Sequence, residues 1–139
     1  MVRKKTDEIH LCVDFRDLNK VSIKDNYPLP NMEMLLQQVI GFALMSMLDE
    51  FSGYNQVIVA EKDRPKTTFV TPWGTYAYIR MPFGLKNAGA TFQRAMDHSF
   101  RDFVGKFVVD YQDDLTVYSK SREIHLIHLR QIFKKCRTY

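Results

Sequence analysis

Two stretches of this chain carry acids where acids are poor choices for folding. Tyr111-Gln112-Asp113-Asp114 sets adjacent carboxylates between two β-prone runs, and Asp49 closes the upstream segment Leu44-Met45-Ser46-Met47-Leu48-Asp49. Neighbouring carboxylates at a tight turn repel each other, so a bound divalent cation is the expected compensation. Phe107-Val108-Val109-Asp110-Tyr111 before the pair and Leu115-Thr116-Val117-Tyr118 after it are rich in β-branched and aromatic residues. They read as a hairpin carrying its acids at the bend, with Phe107, Val109 and Tyr111 facing one side. A neighbouring strand that ends on Asp49 can bring a third carboxylate to the pair. Three carboxylates around one point have the composition of a two-metal site, in which Mg²⁺ ions about 3.5–4 Å apart stabilise the attacking and leaving oxygens of a phosphoryl displacement. Such chemistry asks the protein mainly for positioned charge.

The elements that must hold these acids follow from local signals. Leu11-Cys12-Val13-Asp14-Phe15 reads as a short strand entering a turn at Arg16 to Lys20, and Tyr27-Pro28-Leu29-Pro30 must be extended. Asn31 is a suitable N-cap for a helix from about Met32 to Ile40, which Gly41 ends. The chain then extends through Leu44 to Leu48. Gln56 to Val59 and Thr67 to Thr71 look like strands joined by a charged loop, and Pro72-Trp73-Gly74 turns the second into Tyr76 to Arg80 as a hairpin. Pro82-Phe83-Gly84-Leu85 breaks regularity. A helix from Asn87 to about Phe100 buries Phe92 and Met96, and an amphipathic helix from about Arg122 to Lys135 follows the acid hairpin. Its His125 and His128, at i, i+3 spacing, read as surface residues. The sum is an α+β domain whose largely antiparallel sheet is backed by helices on one face, leaving the other to cradle a duplex.

At 139 residues, 45% hydrophobic and 26% charged, the chain is one domain or a piece of one, of ordinary globular composition. No apolar run approaches the roughly 20 residues of a membrane span, and the basic start Arg3-Lys4-Lys5 leads into no signal-like stretch. No membrane partner is therefore expected. The two cysteines, Cys12 and Cys136, have no metal-ligand spacing and read as reduced, half-buried thiols of an intracellular chain. A net charge of +4 permits a polyanion partner, with basic residues clustered at the amino end and acids gathered at the candidate metal site.

Seven blocks in order give the chain a resemblance. Val13-Asp14-Phe15-Arg16-Asp17-Leu18-Asn19-Lys20, Tyr27-Pro28-Leu29-Pro30, Leu48-Asp49 with Ser52-Gly53-Tyr54, Pro65-Lys66-Thr67, Met81-Pro82-Phe83-Gly84-Leu85, Ala90-Thr91-Phe92-Gln93 and Tyr111-Gln112-Asp113-Asp114 are followed by a closing His125 to Leu129. The sequence resembles the reverse transcriptase domain of retroelement Pol polyproteins, gypsy-type LTR retrotransposons above all, over nearly its whole length. That resemblance implies the fingers and palm of a right-hand polymerase over residues 1–139. It implies Asp49, Asp113 and Asp114 as ligands of Mg²⁺, or Mn²⁺, for transfer of dNTPs onto a primer paired with an RNA or DNA template, with the Glu50 carbonyl joining one metal's shell. Tyr54 would exclude a ribose 2′-hydroxyl, Phe83 and Gly84 would line the nucleotide and template pocket, and Lys4 or Lys5 would approach the phosphates. The expected setting is intracellular and cytoplasmic, or a retroelement particle where the parent is complete. Thumb, connection and RNase H are expected on a longer parent product, so weak activity or none is expected of this chain alone.

The chain also departs from the family's pattern. Ile9-His10 stands where Trp-Arg is usual, and an imidazole cannot replace a guanidinium fork on phosphate. Glu50 and Asp110 replace apolar residues, and Asp110 adds a charge expected to raise a neighbouring carboxylate's pKa. Three readings follow: an RNA-directed DNA polymerase core, a catalytically silent retroelement remnant that binds nucleic acid, and a two-metal nuclease, in which Tyr54 and Phe83 would have no role. Without chemistry, Asp113-Asp114 would be a polar turn, Asp49 a strand end, and Tyr54 and Phe83 packing aromatics.

Overall fold

The computed structural model describes residues 2–3, 9–49, 53–111 and 114–138; Lys4, Lys5, Glu50, Gln112 and Asp113 lie outside them. In chain order the elements are β1 (Val2–Arg3), β2 (Ile9–His10), α1 (Arg16–Val21), α2 (Met32–Val39), β3 (Leu44–Asp49), β4 (Phe69–Thr71), β5 (Gly74–Tyr76), α3 (Ala88–Phe100), β6 (Val108–Tyr111), β7 (Asp114–Ser119) and α4 (Arg122–Cys136). Short 3-10 helices occupy Gly53–Gln56 and Glu61–Thr67. The chain forms two units, Met1–Asp25 with Ser52–Ala88 and Asn26–Phe51 with Gly89–Tyr139.

In the first unit, β1 and β2 pair antiparallel. Residues Leu11 to Phe15 form no strand, contrary to expectation. Asp14 instead accepts the Arg16 backbone N–H at 3.0 Å and the Arg16 guanidinium at 2.6–3.0 Å, a local side-chain bond that turns the chain into α1 rather than extending it along a ladder. The hairpin around Pro72-Trp73 forms as expected, with Thr71 opposite Gly74 and Phe69 opposite Tyr76. Its second strand starts and ends earlier than Tyr76 to Arg80. The expected Gln56–Val59 strand shrinks to a bridge between Ile58 and Arg80, because Gly53–Gln56 winds into a 3-10 turn. Buried Thr67 donates to the Arg64 carbonyl and accepts the Tyr78 N–H, tying the 3-10 helix to the chain beyond the hairpin. Phe15 and Phe69 pack on Tyr78, and Phe15 and Met81 are buried.

In the second unit, Asn31 caps α2 by accepting the Glu33 N–H at 2.8 Å, and Gly41 at φ 88° carries the chain away from the helix end. The sheet order is β3-β7-β6, all antiparallel. Directly opposed residues share a face and alternate along each strand. One face therefore holds Leu44, Ser46, Leu48, Val108, Asp110, Leu115, Val117 and Ser119. Gln93 of α3 bonds Asp110, while His125 of α4 bonds Ser46 and Ser119, so both helices lie on that face. Phe92, Met96 and Phe100 of α3 and Ile132 of α4 are buried with Val108, Leu115 and Val117. The other face holds Met45, Met47, Asp49, Val109, Tyr111, Asp114, Thr116 and Tyr118, and it is open at Met47, which is 82% exposed. Phe42 covers its far end, edge-on to Tyr118 at 4.5 Å. Largely antiparallel strands backed by α3 and α4 are the expected architecture, and the acid-bearing face is exposed at Met45 and Met47 while Val109 and Tyr118 on it are buried. Phe107 departs from the expected alternation: it precedes β6, and its ring stacks on His128 of α4 at 3.8 Å.

Candidate active site

Asp49 ends β3 and Asp114 begins β7, and the ladder sets them directly opposite each other. Tyr111 is paired with Asp114 on the other side, the last pair of the β6–β7 ladder; Gln112 and Asp113, between them in sequence, lie outside the described residues. Both carboxylates are exposed, on the sheet face away from α3 and α4. Cβ atoms of directly opposed residues lie about 4.5–5.5 Å apart, and like charges so placed are destabilising. Among the described residues neither carboxylate has a basic side chain in ion-pair range. Two hard oxygen donors set opposite each other on an exposed face, with a third acid adjacent in sequence, fit a divalent cation better than they fit any folding role. Among the described residues no cluster of three potential ligands forms, Asp113 being outside them.

The charge added by Asp110 falls elsewhere than expected. Its cross-strand partner is Leu115, so its side chain is on the helix face, 2% exposed. Gln93 spends one amide N–H on Asp110 at 3.0 Å and another bond on Asp97 at 3.1 Å, and Tyr27 donates its hydroxyl to Asp97. Arg94 lies over the Tyr27 ring at 4.6 Å. Burial, with Asp97 close by, pushes the Asp110 carboxyl up to about 6. The residue thus carries a raised pKa itself. A polar pair, Gln93 and Asp110, among apolar neighbours was the available signal for this network.

In the first unit, Tyr54 and Phe83 meet edge to face, their ring centroids 5.1 Å apart at 81°. Phe83 is 56% exposed, which argues against a purely packing role. Gly84 follows at φ 92°, a backbone conformation that strains residues with a Cβ. Asn19 straps this loop: its Nδ2 donates to the Gly84 carbonyl and its Oδ1 accepts the Lys86 N–H, both at 2.7 Å. The contact brings two candidate substrate residues together, 29 positions apart in the chain by the difference 83 − 54. Lys4, Lys5, Glu50 and Asp113 carry no structural description.

His125 is buried at 8% exposure and hydrogen-bonded, and His128 bonds Ser119 and stacks on Phe107, so this histidine pair is not a surface feature. Their partner Ser46 comes from a distant strand, which spacing on the helix could not reveal. The cysteines Cys12 and Cys136 are both exposed rather than half-buried, Cys12 in an irregular segment and Cys136 at the end of α4.

The model of the reverse transcriptase (RNA-dependent DNA polymerase) family matches residues 2–139. The chain is 40% identical over 124 residues to the retrovirus-related Pol polyprotein from transposon gypsy of Drosophila melanogaster, covering 89% of this chain and 12% of that one. It is 42% identical over 127 residues to an RNA-directed DNA polymerase homolog of Oenothera berteroana, covering 89% of each. Among solved structures it is similar to the foamy viral protease-reverse transcriptase dRH in complex with double-stranded DNA, with a TM-score of 0.85 at 20% identity over 96% of this chain and 23% of that chain. The foamy viral protease-reverse transcriptase in complex with an RNA/DNA hybrid gives a TM-score of 0.79 at 20% identity, over 88% of this chain and 16% of that chain. The fold is that of polymerase fingers and palm, and the chain belongs to the reverse transcriptase (RNA-dependent DNA polymerase) family, its sequence being of the gypsy type.

Proposed function

We propose that this chain is the fingers-and-palm portion of an RNA-directed DNA polymerase, transferring dNTPs onto a primer paired with an RNA or DNA template. The unit of Asn26–Phe51 and Gly89–Tyr139 is the palm in this reading and the other unit the fingers. The observation that carries it is the register of β3 on β7, with Asp49 opposite Asp114 on the sheet face away from the helices. Asp49, Asp113 and Asp114 would hold Mg²⁺ or Mn²⁺, helped by the Glu50 carbonyl; when bound, the metal lowers the pKa of the primer 3′-hydroxyl and neutralises charge developing on the phosphates.

The remaining roles belong to this chain's own residues. Tyr54, braced edge-on by Phe83, presents a ring that a deoxyribose passes and a 2′-hydroxyl meets. Phe83 and Gly84 line the nucleotide, and the Asn19 strap holds their loop in place. Lys4 and Lys5 approach the phosphates. The working partners are the template, the primer and the other segments of a longer Pol product, and the setting is intracellular and cytoplasmic. No helix among the described residues is long and apolar enough to cross a membrane.

Primer extension with Mg²⁺ on RNA and DNA templates by a Pol product that carries this segment tests the reading: dNTP incorporation is expected, and it must vanish in Asp114→Asn. A second reading, a silent retroelement remnant that binds nucleic acid, is favoured by His10, which replaces the family's arginine. It is marked by salt-sensitive binding without Mg²⁺-dependent incorporation.

A further inference from the structure

The register of β3 on β7 decides whether Asp49 meets Asp114, and the apolar pattern of β3 does little to set it. Leu44 and Leu48 lie on the helix face, and Met45 and Met47 on the open face. A strand that is apolar on both sides specifies its register weakly. A slip of one residue would turn Asp49 onto the helix face. A slip of two would keep its face and carry it roughly 6.5–7 Å along the sheet from Asp114.

Ser46 is the one polar side chain of β3 on the helix face, and it has a specific partner. Its hydroxyl lies 2.8 Å from His125 Nε2, and His125 Nδ1 lies 3.1 Å from Ser119 Oγ on β7. Ser119 Oγ donates to the Tyr118 carbonyl at 2.6 Å and lies 2.7 Å from His128 Nδ1. A hydroxyl has one proton to give and two lone pairs, so with its proton on Tyr118 it accepts from both imidazoles. His125 is thereby assigned as the Nδ1–H tautomer, which leaves Nε2 to accept the Ser46 proton. Ser119 is 1% exposed and His128 is held flat against Phe107, so the far anchor of this chain of bonds is fixed. Only the native register satisfies every member. A slip would place a methionine, Leu44 or Leu48 against Nε2 and strand a buried ring nitrogen.

We propose that His125 is a positioning residue, pinning β3 to β7 through Ser46 and Ser119 so that Asp49 stands opposite Asp114. This rests on the metal-site reading above, and it adds a group on the far side of the sheet that sets the site's geometry without touching substrate.

Mn²⁺ titration of the intact chain, followed by the loss of the free-ion electron paramagnetic resonance signal, tests it. Circular dichroism and cooperative urea unfolding check that each variant is folded. His125→Leu is expected to weaken Mn²⁺ binding by about ten-fold or more, while His125→Gln, whose amide keeps both an N–H donor and a carbonyl acceptor, stays within about three-fold of the wild type. Should His125→Leu not fold, Ser46→Ala takes its place and is expected to weaken binding in the same direction. A folded His125→Leu, or in its stead Ser46→Ala, that binds Mn²⁺ as the wild type does overturns the inference alone. So does a Gln variant as weak as the Leu variant. A wild-type chain that is folded and binds no Mn²⁺ overturns the metal-site reading and this inference with it.

Discussion

Asp49 stands directly opposite Asp114 across the β3–β7 ladder, on the sheet face turned away from α3 and α4. The pairing sets two like charges where cross-strand neighbours would ordinarily attract, a cost that the proposed metal site accounts for. Neutralising either acid is therefore expected to stabilise the metal-free chain. Asp114→Asn should raise unfolding stability by about 0.2–1 kcal/mol in urea without divalent ions, as relief of opposed like charges does. The same substitution should abolish any gain in stability on adding Mg²⁺.

Asp110 makes stability depend on pH in the direction opposite to a salt-bridged acid. Its carboxyl is held up at about 6 by burial and by Asp97, above its value of 3.8 in the absence of structure. Between those two values the unfolded chain has lost the proton and the folded chain keeps it. Stability from this group therefore falls as pH rises from about 4 to about 6, and stays reduced above. Asp110→Asn keeps an acceptor for Gln93 and cannot ionise. It is expected to be more stable than the wild type at pH 7 and to lose the fall between pH 4 and 6, read by urea midpoints across that range.

Asn19 holds the loop that carries Phe83 and Gly84 by two side-chain bonds at 2.7 Å. Removing both in Asn19→Ala should cost about 1–2 kcal/mol. In an active Pol product the loss should appear mainly as a raised KM for dNTP, since the loop is assigned to binding rather than to chemistry. An unchanged KM in a folded variant would remove the loop from the nucleotide site.

Tyr54 is braced by Phe83 rather than buried in a core. Tyr54→Val shortens the ring's reach and should raise the ratio of ribonucleotide to deoxynucleotide incorporation by roughly ten-fold or more, measured by single-nucleotide extension in an active Pol product. An unchanged ratio would assign the ring to packing.

Much of the scaffold could be read before the structure because its signals are local. Asn31 and Gly41 bound α2 by capping and by a positive φ, and the spacing of Phe92 and Met96 marks the buried side of α3. The acid hairpin and the strand ending on Asp49 were legible from alternation and from the acids themselves. What stayed hidden depends on partners far along the chain. Ser46 and His125 are 79 positions apart, and only the β3–β7 register joins them. Asp110 looked like an addition to the site's charge because it is adjacent in sequence, although the alternation that sets Val109 and Tyr111 on one side already turns it to the other. Leu11 to Phe15 reads as a strand by composition, yet the Asp14–Arg16 bond starts a helix there. The resemblance gave Tyr54 and Phe83 separate roles and did not predict their contact, and spacing could not reveal it, because the intervening chain passes through a hairpin and a 3-10 helix.

In the proposed function Asp49, Asp113 and Asp114 bind a divalent cation for nucleotidyl transfer. Isothermal titration of Mn²⁺ into the purified chain, with and without a primer–template and dNTP, tests it most directly against Asp49→Asn and Asp114→Asn. The expected result is binding that tightens when primer–template and nucleotide are present and is lost in both variants. A folded chain whose Mn²⁺ binding is absent, or is the same in wild type and both variants, would contradict it.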